Sequence, residues 1–553
     1  MANQIFNTKT AIVWVIPRFF YILIFSISLL IPFKSLSQSL PLSESDELRI
    51  YQLSSSSDSA SSFTIKPIYN SEQHFPQSDS SQNSPFRSLK KKRKQSFFLL
   101  PFELQQQYTS HHPYGWNDGP FILSKGYQAV ASTGVFIQYG IASLQLKPEF
   151  IFSSNNKFKG FSEFHDKSIR DAYYGEYYAG IDAPEKFGDK IYKRAFWGQS
   201  SVRLNFNTVS LGVSTENLWW GPGIYNSLLM SNSAPGFKHI SFNTLKPLKT
   251  FLGTFEGRIV SGRLEQSGYS PTSNKDYINN KLQDWRYLSA FVVAYSPKWI
   301  PGLFIGFDRA FYLYHDNMSN KISDYIPLLD SFEKSQLEGE DNKQRDQLAS
   351  IFIRWVWEEA NAEIYGQFGR NDHAYNSRDL VLEPEHSAGY ILGARKIIKL
   401  NSGKGNIVTG IEYTHLERDN TIALREASNW YVHLQVRDGY TNQGQFLGAG
   451  IGPGSNLLTI ESSWYNGMKK LGLKFDSFKH NNVFYSSIIR IPISQALEEW
   501  TDYAISVNGV CGYNKFKING TLQGIRSQNY QWQPTEDILN FQVKLGVTYQ
   551  WSK

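Results

Sequence analysis

The end of the chain constrains its fold more than any other part. Phe541, Val543, Leu545, Val547, Tyr549 and Trp551 alternate with Gln542, Lys544, Gly546, Thr548 and Gln550. Successive side chains of a strand point to opposite faces, so this run has one apolar face and one polar face. A barrel strand with lipid on one side and a wet lumen on the other requires that division. Its terminal position and aromatic end fit the closing strand of an outer-membrane barrel, although Ser552 and Lys553 trail the last aromatic.

The start of the chain says how such a strand reaches a membrane. Lys9 and Arg18 flank the approach to an apolar run, Phe19 to Phe33, and Ser35-Leu36-Ser37 supplies small residues for cleavage before Gln38. We read residues 1–37 as a signal peptide. An uncleaved anchor helix is the alternative, but a span usually takes about 20 apolar residues. No Cys lies near the cleavage position to carry a lipid. Later segments are too short in apolar residues for a membrane helix, so a membrane-embedded mature chain needs a closed barrel to satisfy its backbone groups.

Composition agrees with strands. Aromatics make up 15% of the chain, a bias toward strand formers and toward the aromatic girdles of barrels. Mean hydropathy is −0.38 although 41% of residues are hydrophobic, as alternation of apolar and polar positions would give. The single cysteine, Cys511, excludes an internal disulfide and reads as a small hydrophobe, buried or facing lipid. The net charge of +7 is modest for this length. Its densest run, Lys90 to Lys94, reads as a solvated stop beside anionic headgroups; nucleic acid is not an expected partner of a secreted chain.

Residues 38–95 are rich in Ser, with Gln, Asn and Pro between. Their low hydrophobicity predicts a loosely ordered periplasmic segment. Two islands within it, Glu47-Leu48-Arg49-Ile50 and Phe63-Thr64-Ile65-Lys66-Pro67, have the character of docking sites. Residues 96–553 are assigned to the barrel.

Within the barrel, alternation recurs in hairpins. Val202, Leu204 and Phe206 lead through Asn207-Thr208 to Val209, Leu211 and Val213. Ile351, Ile353, Trp355 and Trp357 lead to Ala362, Ile364, Gly366 and Phe368, and Tyr287 to Tyr295 meet a turn at 297–302 before Leu303, Ile305 and Phe307. Phasing backward from the terminus places short connections near 511–513, 479–482, 397–404, 358–360, 297–302, 246–249, 207–208 and 140–141 in the periplasm. Mostly longer ones near 523–538, 491–502, 415–428, 369–388, 310–347, 262–285, 216–237 and 153–196 fall outside. That asymmetry is the bacterial barrel pattern, and the predicted fold is an all-β transmembrane antiparallel barrel of about 18 strands, with 18–20 counted. The stretch 437–456 breaks the rule, being long yet periplasmic in this phasing. A soluble β-sandwich or β-propeller is the alternative fold; neither predicts the alternation of loop lengths.

Several strings resemble the Wzi-type capsule-assembly family, particularly its form in Bacteroidetes-like bacteria. They are His112-Pro113-Tyr114-Gly115-Trp116-Asn117-Asp118-Gly119-Pro120, Ser143 to Phe150, Glu216 to Gly223 with its continuation Leu228 to Phe237, Tyr365 to His373, Leu382 to Ser387, and Gly448 to Ser455. The resemblance covers roughly 97–553, with 216–237 its most specific part. It implies a monomeric outer-membrane barrel, embedded in outer-membrane lipid, whose extracellular loops plug the lumen and which holds capsular or other surface polysaccharide. The Ser-rich N-terminal segment does not resemble the helical periplasmic bundle of the enterobacterial members.

Sugar binding calls for flat apolar rings and planar hydrogen-bonding groups. Loop 216–237 offers both: Trp219 and Trp220 beside Glu216, Asn217, Tyr225 and Asn232, with Gly221-Pro222-Gly223 forcing a turn. A rim girdle or loop core is the structural alternative for the two tryptophans. Loop 369–388 carries Arg370, Asp372, His373, Glu383, Glu385 and His386, a set suited to a cation, an acidic sugar or salt-bridging within a plug. No cofactor or metal is called for. Glu358-Glu359 and Glu498-Glu499 are sequence neighbours that a strand would point to opposite faces, unlike the facing carboxylates of glycosidic cleavage. No Gly-x-Ser-x-Gly elbow, His-Glu-x-x-His helix or phosphate loop is present. The expected protein is a non-enzymatic polysaccharide binder, with a porin-like channel for sugars or other solutes as the alternative.

Overall fold

The computed structural model describes residues 38–40, 42–54, 61–69, 95–161, 164–272, 274, 277, 282–319, 325, 344–371, 387–401, 403–418, 429–488 and 495–551. The expected signal peptide and the basic run Lys90 to Lys94 lie outside them.

Antiparallel pairing links β1 (Gln95–Thr109), β2 (Gly126–Tyr139), β3 (Ala142–Leu146 with Glu149–Ser153), β4 (Tyr192–Phe196 with Ser201–Phe206), β5 (Val209–Ser214) and β6 (Lys238–Thr244). It continues through β7 (Gly253–Leu264), β8 (Arg286–Pro297), β9 (Leu303–Tyr314), β10 (Arg345–Trp357), β11 (Ala362–Asn371) and β12 (Ala388–Lys399). The circuit ends with β13 (Asn406–His415), β14 (Asn456–Asn466), β15 (Lys469–Lys479), β16 (Thr501–Tyr513), β17 (Phe516–Gln528) and β18 (Ile538–Tyr549). Strand β18 pairs back onto β1, from Phe102 opposite Tyr549 to Thr109 opposite Gln542, and closes an 18-stranded barrel. Prolines mark the irregular strands, because each removes a ladder donor. Pro148 divides β3, and the register of β1 against β2 shifts across Pro101, between Leu100 and Glu103.

The predicted hairpins form in register: Val202 faces Val213 and Leu204 faces Leu211, while Ile351 faces Phe368 and Trp355 faces Ile364. Alternation then sorts each strand. Outward side chains such as Leu473 (58% exposed) and Ile505 (59%) are apolar, whereas inward Asp308 and Arg354 are 0% exposed. A water-soluble sheet would reverse this order, so the outer wall is built for lipid. Cys511 points outward in phase with Tyr503, Ile505 and Val507. Exposed Tyr139, Phe251, Trp299, Trp357, Tyr513 and Phe516 ring one end, and Tyr108, Tyr127 and Tyr503 belong to the other. Among the described residues no helix is long and apolar enough to cross a membrane.

The ends differ as expected, with two corrections. Turns such as 140–141, 207–208, 467–468 and 514–515 cap one end; loops such as 154–191, 215–237 and 416–455 cover the other. The stretch 437–456 is not a turn-end connection. It belongs to one long loop, 416–455, on the loop end, and the turn that follows lies at 467–468. Residues 479–482 likewise begin the loop 480–500 at that end rather than forming a turn. Apolar loop residues account for the misreading: Trp430, Tyr431, Val436, Tyr440 and Leu447 are buried inside the barrel and mimic a strand in sequence.

An arginine replacing Leu473, in the middle of the lipid face of β15, should cost about 2–4 kcal/mol in a bilayer. Urea titration of folding into vesicles would show it; an unchanged midpoint would place that face in water.

Candidate functional site

The lumen is the site, and it divides into two halves. The half toward the turns is charged. Inward residues of the wall include Arg258, Arg354, Glu363 and Arg395, each nearly or fully buried. Their partners come largely from the N-terminal segment, which enters the barrel. Helix α1 (Leu42–Ser54) brings Arg49 to Glu363 at 3.0 Å, and Arg354 reaches the same carboxylate at 2.7 Å. Asp46 receives Arg395 at 3.0 Å. Arg354 also donates to the Ser62 carbonyl at 2.8 Å and Arg258 to the Lys66 and Pro67 carbonyls at 2.8 and 2.9 Å. Both islands expected to dock therefore do so, against the lumen wall.

Loop 215–237 descends from the opposite end to meet this plug. Ile65–Lys66 and Trp219–Trp220 form a two-stranded sheet, extended by the Gly221 N–H to the Thr64 carbonyl at 2.8 Å. Gly221 holds φ +107, a conformation open to glycine. Glu412 then anchors the turn, accepting backbone N–H groups from Ile224, Tyr225 and Asn226 at 2.6, 3.1 and 2.9 Å.

The half toward the loops is aromatic. Phe161, Tyr173, Tyr174, Trp220, Trp430, Tyr431, Phe484 and Trp532 belong to one buried cluster. Beside it opens a cavity of about 240 Å³ lined by Trp116, Tyr177, Phe446, Trp500, Tyr530 and Trp532 together with polar side chains. His480 stacks on Trp500 at 3.7 Å between centroids and bonds Asp502 at 2.7 Å. Four buried polar atoms of the lining residues, Gln107 Oε1, Tyr114 Oη, Asn481 Nδ2 and Trp532 Nε1, have no hydrogen-bond partner among the described residues. Aromatic faces next to unspent donors and acceptors are what a polyhydroxylated ring with apolar C–H faces requires.

The predicted residues land inside rather than on a rim. Trp219 is 5% and Trp220 0% exposed, so neither ring is presented to solvent. Burial alone would raise the Glu216 carboxyl, yet Arg203 at 2.8 Å and the Ser214 hydroxyl hold it below the usual carboxylate range. Asn217 donates to the Asn232 side chain and the Ala234 carbonyl, both at 2.8 Å, and the Tyr225 hydroxyl donates to Glu461 at 2.7 Å. The structure thus brings all six together as a plug element. Of the second set, Arg370 sits at the loop end of β11, opposite Ala349 and Ala388; Asp372, His373, Glu383, Glu385 and His386 lie outside the described residues. The aromatic cavity was missed in part because Trp500 and Trp532 carry no motif. The string His112 to Pro120 did signal Tyr114 and Trp116, but without a role.

These features define an outer-membrane β-barrel whose interior is filled by its own chain. The chain belongs to the capsule assembly protein Wzi family, which matches residues 54–537. Its structure is similar to that of Wzi from Escherichia coli, described as a carbohydrate-binding β-barrel involved in group 1 capsule assembly. The TM-score is 0.55 at 13% identity, over 82% of this chain and 85% of that one. OccAB4 of Acinetobacter baumannii matches at TM-score 0.39 and 8% identity, over 82% and 97% of the two chains. OccK5 of Pseudomonas aeruginosa matches at 0.39 and 11%, over 82% and 99%. Comparison with curated proteins gives no match.

Glu363→Ala should release the N-terminal plug, because Arg49 and Arg354 would remain buried without their shared carboxylate, a loss of about 3–5 kcal/mol. Limited proteolysis of folded barrels would report it as faster cleavage within 42–54; unchanged protection would show that the helix docks without this cluster.

Burial pushes His112 down to about 4, against the pull of Asp502, and pushes His165 down to about 4 as well. A depressed histidine favours the neutral form, so its contribution is complete above the ordinary value near 6.5 and is lost as pH falls toward 4. Hydrogen exchange of the loop-end core should accelerate between pH 6.5 and 4. If the rates, corrected for intrinsic exchange, stay flat, neither histidine is linked to the core.

Proposed function

We propose that this protein binds and retains capsular or other surface polysaccharide at the outer face of the cell, acting as a monomer and breaking no bond in the sugar. The observation that carries the reading is the aromatic cavity at the loop end, whose rings and unpartnered polar atoms match a pyranose. Short turns face the periplasm and long loops the exterior in bacterial barrels, and a cavity at the loop end supports contact with a polymer at the cell surface. Family membership and the carbohydrate-binding description of the E. coli relative support the same conclusion.

In this reading Trp116, Tyr177, Trp500 and Tyr530 supply stacking surfaces. Trp219 and Trp220 act indirectly, by fixing the loop that carries Ser233 beside the cavity. Retention needs no proton transfer, and the adjacent carboxylates are otherwise engaged or remote: Glu499 pairs with Lys479, and Glu358-Glu359 occupy a turn at the far end. A channel shares the barrel but needs an open lumen, whereas the plug and loop 215–237 meet across this one.

The test uses cells lacking the protein and complemented with variants. Trp116→Ala with Trp500→Ala should shift polysaccharide from the cell surface to the medium at least tenfold while the barrel still reaches the membrane, and the bound chains should keep their length. Full retention by the double variant, or shortened chains, would overturn the proposal. A steady large conductance of the wild-type barrel in a planar bilayer would favour the channel instead.

A further inference from the structure

A second cavity, of about 380 Å³, lies between the N-terminal plug, loop 215–237 and the wall. Its lining combines Trp219, Tyr225 and Asn232 of the loop with Lys66 of the plug and with Arg395 and Lys470 of the wall. Asp46 and Glu461 also line it, so three cations face two carboxylates. Both carboxylates are already engaged, Asp46 by Arg395 at 3.0 Å and Glu461 by Lys470 at 2.8 Å. Lys66, only 5% exposed, lies over the ring of Trp219 at 5.3 Å and draws on Asp46, a carboxylate that Arg395 already occupies. Arg395 Nη1 is also buried without a partner. Behind this wall the imbalance continues, since Arg49 and Arg354 share the single carboxylate Glu363.

A buried cation that shares its carboxylate with a second cation is costly, and a cavity beside the pair gives a further negative charge a place to sit. We propose that this cavity is a carboxylate-binding site, with Lys66 Nζ and Arg395 Nη1 as the donors to one anionic group. The rest of the lining suits a sugar acid: Trp219 and Tyr225 offer ring faces, held in place as Asn117 donates to the Tyr225 carbonyl and Asn232 to the Asn117 carbonyl. A volume of this size falls in the range of small-molecule sites. Burial pushes the Lys66 ammonium down to about 8, against the attraction of Asp46, which leaves it charged at neutral pH and able to act as the donor. The carboxylate has two chemical sources, a uronic acid unit and a free small organic acid.

Calorimetric titration of the full mature chain in detergent distinguishes them, using sodium glucuronate, sodium acetate and neutral glucose as probes. Binding of glucuronate with no heat from acetate or glucose supports the site with a uronic acid as its ligand. Equal binding of acetate and glucuronate supports it with a free acid. In either case Lys66→Met should weaken binding at least tenfold and Lys66→Arg should restore it. The proposal is overturned if neither carboxylate binds, if glucose binds as well as glucuronate, or if Lys66→Met binds unchanged. Because Lys66 does not line the outer cavity, and neither Trp116 nor Trp500 lines this one, the result stands apart from polysaccharide retention at the outer cavity.

Discussion

In lipid a backbone N–H or C=O has no partner except another stretch of chain, and this one requirement shapes everything else here. It forces 18 strands to close, β18 onto β1. Closure turns every second side chain inward and creates an interior that is walled off from lipid but, at this diameter, too wide for wall side chains alone to fill. The chain solves that second problem with its own N-terminal segment and loops. What enters must then match a wall already populated by Arg203, Arg258, Arg354, Glu363 and Arg395.

The match is electrostatic at one end and apolar at the other. Glu363 is the pivot of the charged half, because one carboxylate serves a guanidinium of the plug, Arg49, and two of the wall, Arg354 and Arg395. Buried arginines sharing one acceptor are held in place by geometry rather than by surplus energy: Arg354 also donates to the Ser62 carbonyl and to Gln52, and Arg49 to the Pro222 carbonyl, while Arg49 Nη2 has no partner among the described residues. The plug's polypeptide path is thereby specified by its main chain as much as by its side chains.

That arrangement explains what could be read in advance. The strands were legible because lipid and lumen impose a period of two on any sequence that separates them, as at Val202 to Val213 and Phe541 to Tyr549. The loop 416–455 misled the same rule because Val432, Val436 and Tyr440 are apolar for a different reason, burial within the plug. The Ser-rich segment looked unable to fold by composition. That inference presumes an apolar core, whereas Ser61, Ser62 and Thr64 are buried in a polar one, where Glu256 accepts from Ser61 and Ser62. Of the candidate residues 216–232, Glu216, Asn217, Trp219 and Trp220 are buried in one loop, as the loop-core alternative for the two tryptophans had it, and nothing in a Trp-Trp pair says whether its loop turns outward or in. The aromatic cavity draws on residues as distant as Trp116 and Trp532, and only closure brings such positions together.

Trp219 and Trp220 occupy the seam between the two halves, and the choice of tryptophan there has a physical reason. As adjacent residues of a short strand they point to opposite sides. Trp220 enters the apolar cluster with Leu228, Met230 and Trp430. Trp219 turns toward the charged half and receives the Lys66 ammonium over its ring, an attraction an aliphatic side chain could not supply. One dipeptide thus faces both environments while its backbone pairs with Ile65–Lys66. The segment that arrives from the turn end and the loop that arrives from the opposite end are joined at this point by main-chain hydrogen bonds. The interior behaves as one plug because its two kinds of packing meet in a single strand.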